Sequence, residues 1–159
     1  MNFRRNLPYW LLVGGTACWV AAVVAAPFAR AHGWGWGEWI YLAFHPVCHQ
    51  MPERSFSLLG EPFAVCHRCF GLYSGFLFGL LAFPSLGRWR AFLLEHPRWV
   101  VAPALPMLVD VALGSWNRTW DRFGTGLLAS FPIALLAWVA AEQLYQRYRA
   151  GRKENYELR

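Results

Sequence analysis

Apolar and polar positions alternate along this chain in long blocks, not in short amphipathic periods. A nearly unbroken apolar run extends from about Pro8 to Phe28, and further runs follow at about Cys69–Leu86, Trp99–Gly114 and Phe123–Ala141. A membrane-spanning helix needs about 20 mostly apolar residues, so these blocks predict four spans. The third is the shortest and contains Pro103, Pro106 and Asp110. One long polar connection, residues 29–68, separates the first block from the second. It opens on Gly33-Trp34-Gly35-Trp36-Gly37-Glu38-Trp39-Ile40-Tyr41. Trp and Tyr favour the headgroup layer, which predicts a short interfacial helix from about Glu38 to Phe44. Pro46 favours a new helical start, and Glu61-Pro62 reads as a turn. Residues 142–159 are a polar, basic tail. The expected fold is an all-α membrane protein. It forms one integral domain, a four-transmembrane-helix bundle with a short interfacial helix in its first external loop.

Composition agrees with a membrane setting. Of 159 residues, 57% are hydrophobic and 15% charged, where a soluble domain carries about 25% charged residues. The mean hydropathy is +0.25. A formal charge of +6 invites a nucleic-acid reading, but the basic residues are spread over the loops and do not form a soluble basic face. Four helices alternating from a cytoplasmic N-terminus put Arg4, Arg5, Arg88, Arg90, Arg98, Arg147, Arg149, Arg152, Lys153 and Arg159 inside. Arg30, Arg54, Arg68, Arg118 and Arg122 then lie outside. Ten against five is the bias of short cytoplasmic loops. Both termini are expected in the cytoplasm of a prokaryotic cell with the chain in its inner membrane, and residues 29–68 outside. Membrane lipid is the expected partner of the tail and the Trp-rich loop, with a second copy or another membrane protein as candidate protein partners. Arg4 and Arg5 ahead of Ala29-Arg30-Ala31 also suit a signal peptide. The apolar region exceeds the 7–15 residues of such signals, so an uncleaved anchor is expected.

The external loop concentrates the soft ligands. Cys48-His49 is followed by Cys66-His67-Arg68-Cys69 at the start of the second apolar block. Two Cys separated by two residues can grip one ion, and Cys48 supplies a third thiolate. The fourth zinc ligand is His49, His45 or His67, with His45 the sterically easier of the first two because neighbours in sequence point apart. With three protein ligands, a water would complete the shell and become a nucleophile. The same CxxC at a helix head also suits a membrane thiol oxidoreductase passing electrons to quinone, with the helix dipole and Arg68 stabilising a thiolate. A non-enzymatic scaffold or transport partner is the third class. Asp110 inside a span needs a partner facing the bundle. Arg122 lies at the right depth, with Arg68 the alternative. Arg54, Arg68 and Arg122 can hold an anionic group such as a lipid phosphate, because guanidinium grips its oxygens in pairs. Gly71, Gly75 and Gly79 recur every four residues, a ridge that lets another helix approach closely. Cys18, in the middle of the first span, reads as a small buried hydrophobe. No phosphate loop, serine triad or zinc-protease helix is present.

The run Cys48-His49-Gln50, Arg54-Ser55-Phe56 and Cys66-x-Arg68-Cys69-x-Gly71-x-Tyr73-x-Gly75 resembles domain-of-unknown-function family 2085, small prokaryotic membrane proteins. Pro106, Asp110 and Arg122-x-x-Thr125-Gly126 extend the likeness more loosely, with Thr119 and Val111 departing from the pattern. The resemblance implies a polytopic membrane protein and favours His49 as the fourth ligand beside Cys48, Cys66 and Cys69. It implies no activity.

Overall fold

A computed structural model describes residues 7–82, 85, 91–93, 95–96, 98–113 and 118–157, without the side chains of 113 and 152–157. Arg4, Arg5, Arg88, Arg90 and Arg159, which carry part of the sidedness expectation, lie outside the described residues. So do the expected ends of the second and third spans at Leu86 and Gly114.

The chain is mostly helical. Helix α1 spans Leu7–Ala31 and α2 spans Trp36–Phe44. A 3-10 turn follows at Pro52–Arg54, then strands β1 (Ser57–Leu58) and β2 (Glu61–Pro62). Helix α3 runs His67–Ala82, α4 is the single turn Arg98–Val101, and α5 is Leu105–Leu113 after a 3-10 turn at Ala102–Ala104. Helices α6 (Thr119–Ser130) and α7 (Ile133–Glu157) complete the order. Among the described residues two helices are long and apolar enough to cross a membrane, Leu7–Ala31 with 25 residues and the stretch Thr119–Gly151 with 33. That second stretch is α6 with most of α7. The helix is interrupted at Phe131-Pro132, where Pro132 has no N–H to offer the preceding turn. In the third apolar block, Pro103 and Pro106 each sit in the first turn of a new element, dividing it into α4, the 3-10 turn and α5.

Two features of the loop differ from expectation. Pro46 ends α2 and starts no helix. The N–H groups of Val47 and Cys48 both turn back to the Phe44 carbonyl, at 3.1 and 3.0 Å. Glu61-Pro62 is not the turn but the second strand of an antiparallel hairpin, pairing Ser57 with Pro62 and Leu58 with Glu61. The turn is Leu59-Gly60, at φ 54° and 86°, the doubly positive backbone that a two-residue hairpin of right-handed twist demands.

Packing centres on α3. The ridge Gly71, Gly75, Gly79 faces α6 and its exit: a Cβ at each would collide with the carbonyl of Phe123, Leu127 and Phe131 in turn. Gly126 returns the fit against the Arg68 carbonyl. The two four-residue repeats therefore interlock backbone to backbone. On its other side α3 meets α1, through Trp19 and Tyr73 with ring centroids 5.8 Å apart. Tyr9 closes the far end, its hydroxyl donating to the Leu80 carbonyl at 3.0 Å. Two buried clusters result. One, around Leu80, Val100 and Leu135, lies at the C-terminal end of α3. The other, around Val23, Ala26, Tyr41, Phe44, Ala64 and Val65, lies at its head and encloses Cys48.

Candidate metal centre and adjoining cavity

Helix α3 begins at the cysteines. The Cys66 carbonyl accepts from the Phe70 N–H at 2.9 Å, so Cys66 caps the helix and Cys69 stands one turn inside. Their sulfurs are 3.5 Å apart. Cys48 arrives from the loop after α2, and the backbone N–H of Cys66 donates to its sulfur at 3.2 Å. All three sulfurs lie within 4.8 Å of one another, and all carry free thiols. Cys18 is exposed on α1, away from this group. Its expected burial is thus not found within the chain.

Gln50 fixes the loop register. It takes a positive φ of 51°, and its amide nitrogen donates to the carbonyls of Tyr41 at 2.7 Å and Ala64 at 2.9 Å. One side chain thereby ties α2, the Cys48 segment and the approach to Cys66 together. The Tyr41 hydroxyl adds a bond to the Pro62 carbonyl. Arg30, at the end of α1, holds Glu38 of α2 through two hydrogen bonds of 2.8 Å and stacks over the Tyr41 ring at 3.6 Å. Phe56 anchors the hairpin side, with ring contacts to Phe63, Phe70, Trp120 and Phe123.

The sulfurs polarise one another. The Cys48 thiol is pushed far below its ordinary range because the thiols of Cys66 and Cys69 donate to it, with the backbone N–H groups of Cys66 and Gln50 adding to the effect. The His67 imidazole is pushed below its usual value by burial and by the charge of Arg122, so it is neutral near pH 7. Its ring rests edge-on against Phe56 at 4.5 Å, and its Nδ1 is buried without a hydrogen-bond partner.

A cavity of about 230 Å³ opens beside the sulfurs. Cys66 and Met51 bring sulfur to its wall, His49 and His67 imidazole, and Arg54, Arg68 and Arg122 guanidinium. The structure thus gathers the three expected arginines around one space. Asp110 stands behind them, fully buried and bonded to Arg68, whose Nε donates to Oδ2 at 2.9 Å while Nη2 reaches the same oxygen. This carboxylate forms an ion pair with Arg68, the alternative partner expected from the sequence. His49 is exposed and faces the cavity. Among the described residues no imidazole joins the three sulfurs within their mutual distance, and His45 is exposed on the turn after α2. Sequence reasoning missed the clamp role of Gln50 and the anchoring ring of Phe56. Both belong to the run that carries the family resemblance, but the segments they act on are distant in sequence, so the run does not announce these roles.

The sulfur group, the CxxC at the helix head and the glycine ridge coincide with one family's span: a family described as predicted membrane protein (DUF2085) matches residues 48–136. The chain belongs to the DUF2085 family. An uncharacterized protein, MJ1492, of Methanocaldococcus jannaschii is 32% identical over 115 residues, covering 69% of this chain and 74% of that protein. An uncharacterized protein of Methanothermobacter thermautotrophicus is 33% identical over 105 residues, covering 63% and 92% respectively. No solved structure matches the chain. The DUF2085 match begins at Cys48 itself, so the family's span includes all three clustered cysteines together with Arg68, Asp110 and Arg122.

Proposed function

We propose that this DUF2085 protein is a multi-pass protein of the prokaryotic inner membrane that holds a transition metal, zinc by ligand chemistry, at its outer surface, next to a pocket for an anionic or amphiphilic ligand. The carrying observation is the approach of Cys48, Cys66 and Cys69 to within 4.8 Å of one another. Thiolates of like charge gather favourably around a cation, and a backbone N–H on a sulfur is the kind of support that orients a metal ligand. Cys66 belongs to both the sulfur group and the cavity wall, so the fourth coordination position would face the cavity. His49, on that wall, is the protein ligand that would fill it in a closed structural site. A water or ligand atom would fill it in a reactive one.

The four-span arrangement fits the two long apolar helices plus α3 and the α4–α5 segment. The arginine distribution supports cytoplasmic termini, which places the cysteines outside, and α2 along the headgroup layer. Trp36, Trp39 and Leu42 are exposed on α2 while Tyr41 and Phe44 are buried, as an interfacial helix requires.

Elemental analysis with thiol counting in denaturant tests the reading. One zinc per chain and four reactive thiols are expected, with zinc lost in Cys66→Ser. The 3.5 Å gap between Cys66 and Cys69 is what favours the rival reading. There, two thiols would become a disulfide, releasing two protons and two electrons to a quinone that leaves as quinol. Two missing thiols, recovered by reductant in a zinc-free protein, would select it.

A further inference from the structure

We infer that the cavity beside the cysteines is a phosphate-binding site, formed by Arg54, Arg68, Arg122 and the imidazole of His67 at the head of α3. This deepens the pocket half of the proposed function and does not depend on the metal.

Four features of the molecule carry it. First, among the described residues the wall of the cavity has three guanidinium groups and no carboxylate. Asp110 meets Arg68 from behind, and three guanidinium groups around one carboxylate leave the space a net positive field. Second, Cys66, His67 and Arg68 are the cap and first residues of a 16-residue helix, so the positive end of its dipole adds to that field. Third, His67 is 4% exposed and lines the cavity, which adds an imidazole to the guanidinium groups. A neutral imidazole suits a phosphate in either tautomer, donating to a P–O⁻ or accepting from a P–OH. Fourth, the size is selective. About 230 Å³ is below the roughly 300–1,000 Å³ of sites for drug-sized ligands. It suits a single polar headgroup. A carboxylate offers two oxygens, which one guanidinium satisfies in bidentate fashion. A phosphate offers three or four, enough to engage arginines arriving from separate segments.

The phosphate can come from a lipid headgroup or from free phosphate, and the test separates them. Full-length protein in phosphatidylcholine nanodiscs, zinc-loaded or chelator-treated, is titrated with inorganic phosphate, followed by ³¹P NMR. In parallel, nanodiscs doped with phosphatidic acid are examined for retained lipid by native mass spectrometry. Acetate at equal ionic strength is the control. Saturable binding of inorganic phosphate supports the site with a soluble ligand. Retention of phosphatidic acid alone supports it with a lipid ligand. In both cases Arg54→Gln, a change at an exposed side chain, weakens binding about ten-fold or more, the scale of a lost charge-assisted hydrogen bond. Arg54→Lys recovers part of that loss. Binding of neither probe overturns the inference, as does binding that matches acetate or is unchanged in Arg54→Gln. Zinc content, measured in the same samples, reports the metal separately: zinc without phosphate leaves the metal centre standing, and phosphate without zinc leaves the phosphate site standing.

Discussion

At the scale of single residues, the site depends on a few side chains that each join distant segments. Cys48 is the clearest. It is buried between α2 and the head of α3, and Cys66 donates a backbone N–H to its sulfur. Cys48→Ser should abolish zinc binding while the helical circular dichroism stays near wild type, because serine preserves the size and the hydrogen bond. Retention of stoichiometric zinc would show that the three sulfurs do not act together. Gln50→Ala removes two bonds to buried-side carbonyls and should cost about 2 kcal/mol, read as a lowered thermal midpoint in detergent. Arg68→Met removes the guanidinium that bonds the buried Asp110 carboxylate. Breaking such a pair costs about 3–5 kcal/mol, and the partial exposure of Arg68 places the expected loss at the lower end. The cysteine and arginine types were legible in the sequence, because their chemistry is rare in apolar chains. The role of Gln50 was not. Its two acceptors lie nine and fourteen residues away, and nothing local announces them.

At the scale of elements, α3 and α6 hold the molecule together by backbone contact. Gly75→Leu would drive a side chain into Leu127 and Ser130. Overpacking of this kind costs about 1–3 kcal/mol where neighbours can shift, and a backbone carbonyl cannot, so about 3 kcal/mol or more is expected in thermal unfolding. Gly124 has open space at its Cβ position, and Gly124→Ala should be neutral or slightly stabilising by helix propensity. Helix α2 is tied to α1 through Arg30 and Glu38. The Arg30 guanidinium donates to the Glu38 carboxylate and holds it below its ordinary 4.5. A depressed folded value means the contribution is complete above pH 4.5 and is lost as pH falls through the lower folded value. The pair is exposed, so salt should weaken the transition. An acid titration of tryptophan fluorescence with and without salt reads this out. The glycine spacing made a close helix contact legible in advance. Which helix it meets was not, because spacing names a face and not its partner. The hairpin escaped for a different reason. Its usual signature is Asn-Gly or Asp-Gly, and Leu59-Gly60 carries only half of it.

At the scale of the whole molecule, the questions are how many times the chain crosses the membrane and which way it faces. A reporter fused after Arg159 should signal from the cytoplasm. An external signal would reverse the side on which the cysteines sit. If a metal stabilises the folded chain, chelation should lower the unfolding midpoint, and the shift should grow with the ratio of zinc concentration to its dissociation constant. An unchanged midpoint in protein proven to have lost zinc would mean the ion contributes nothing to the fold. Both experiments concern the molecule entire, since topology and linkage are not properties of any one helix.

The sequence by itself determined the apolar blocks, the membrane class, the family resemblance and the kind of ligand atoms gathered in the first loop. Each of these is a property of residue type and spacing, and so survives without coordinates. The tertiary structure decided which thiols meet, that Arg68 takes Asp110, and that three arginines and a buried imidazole enclose one cavity. Those depend on where α2, the hairpin and α6 come to rest around the head of α3. That placement is set by long-range packing of glycines against carbonyls and of Phe56 among its neighbours, which no local pattern encodes.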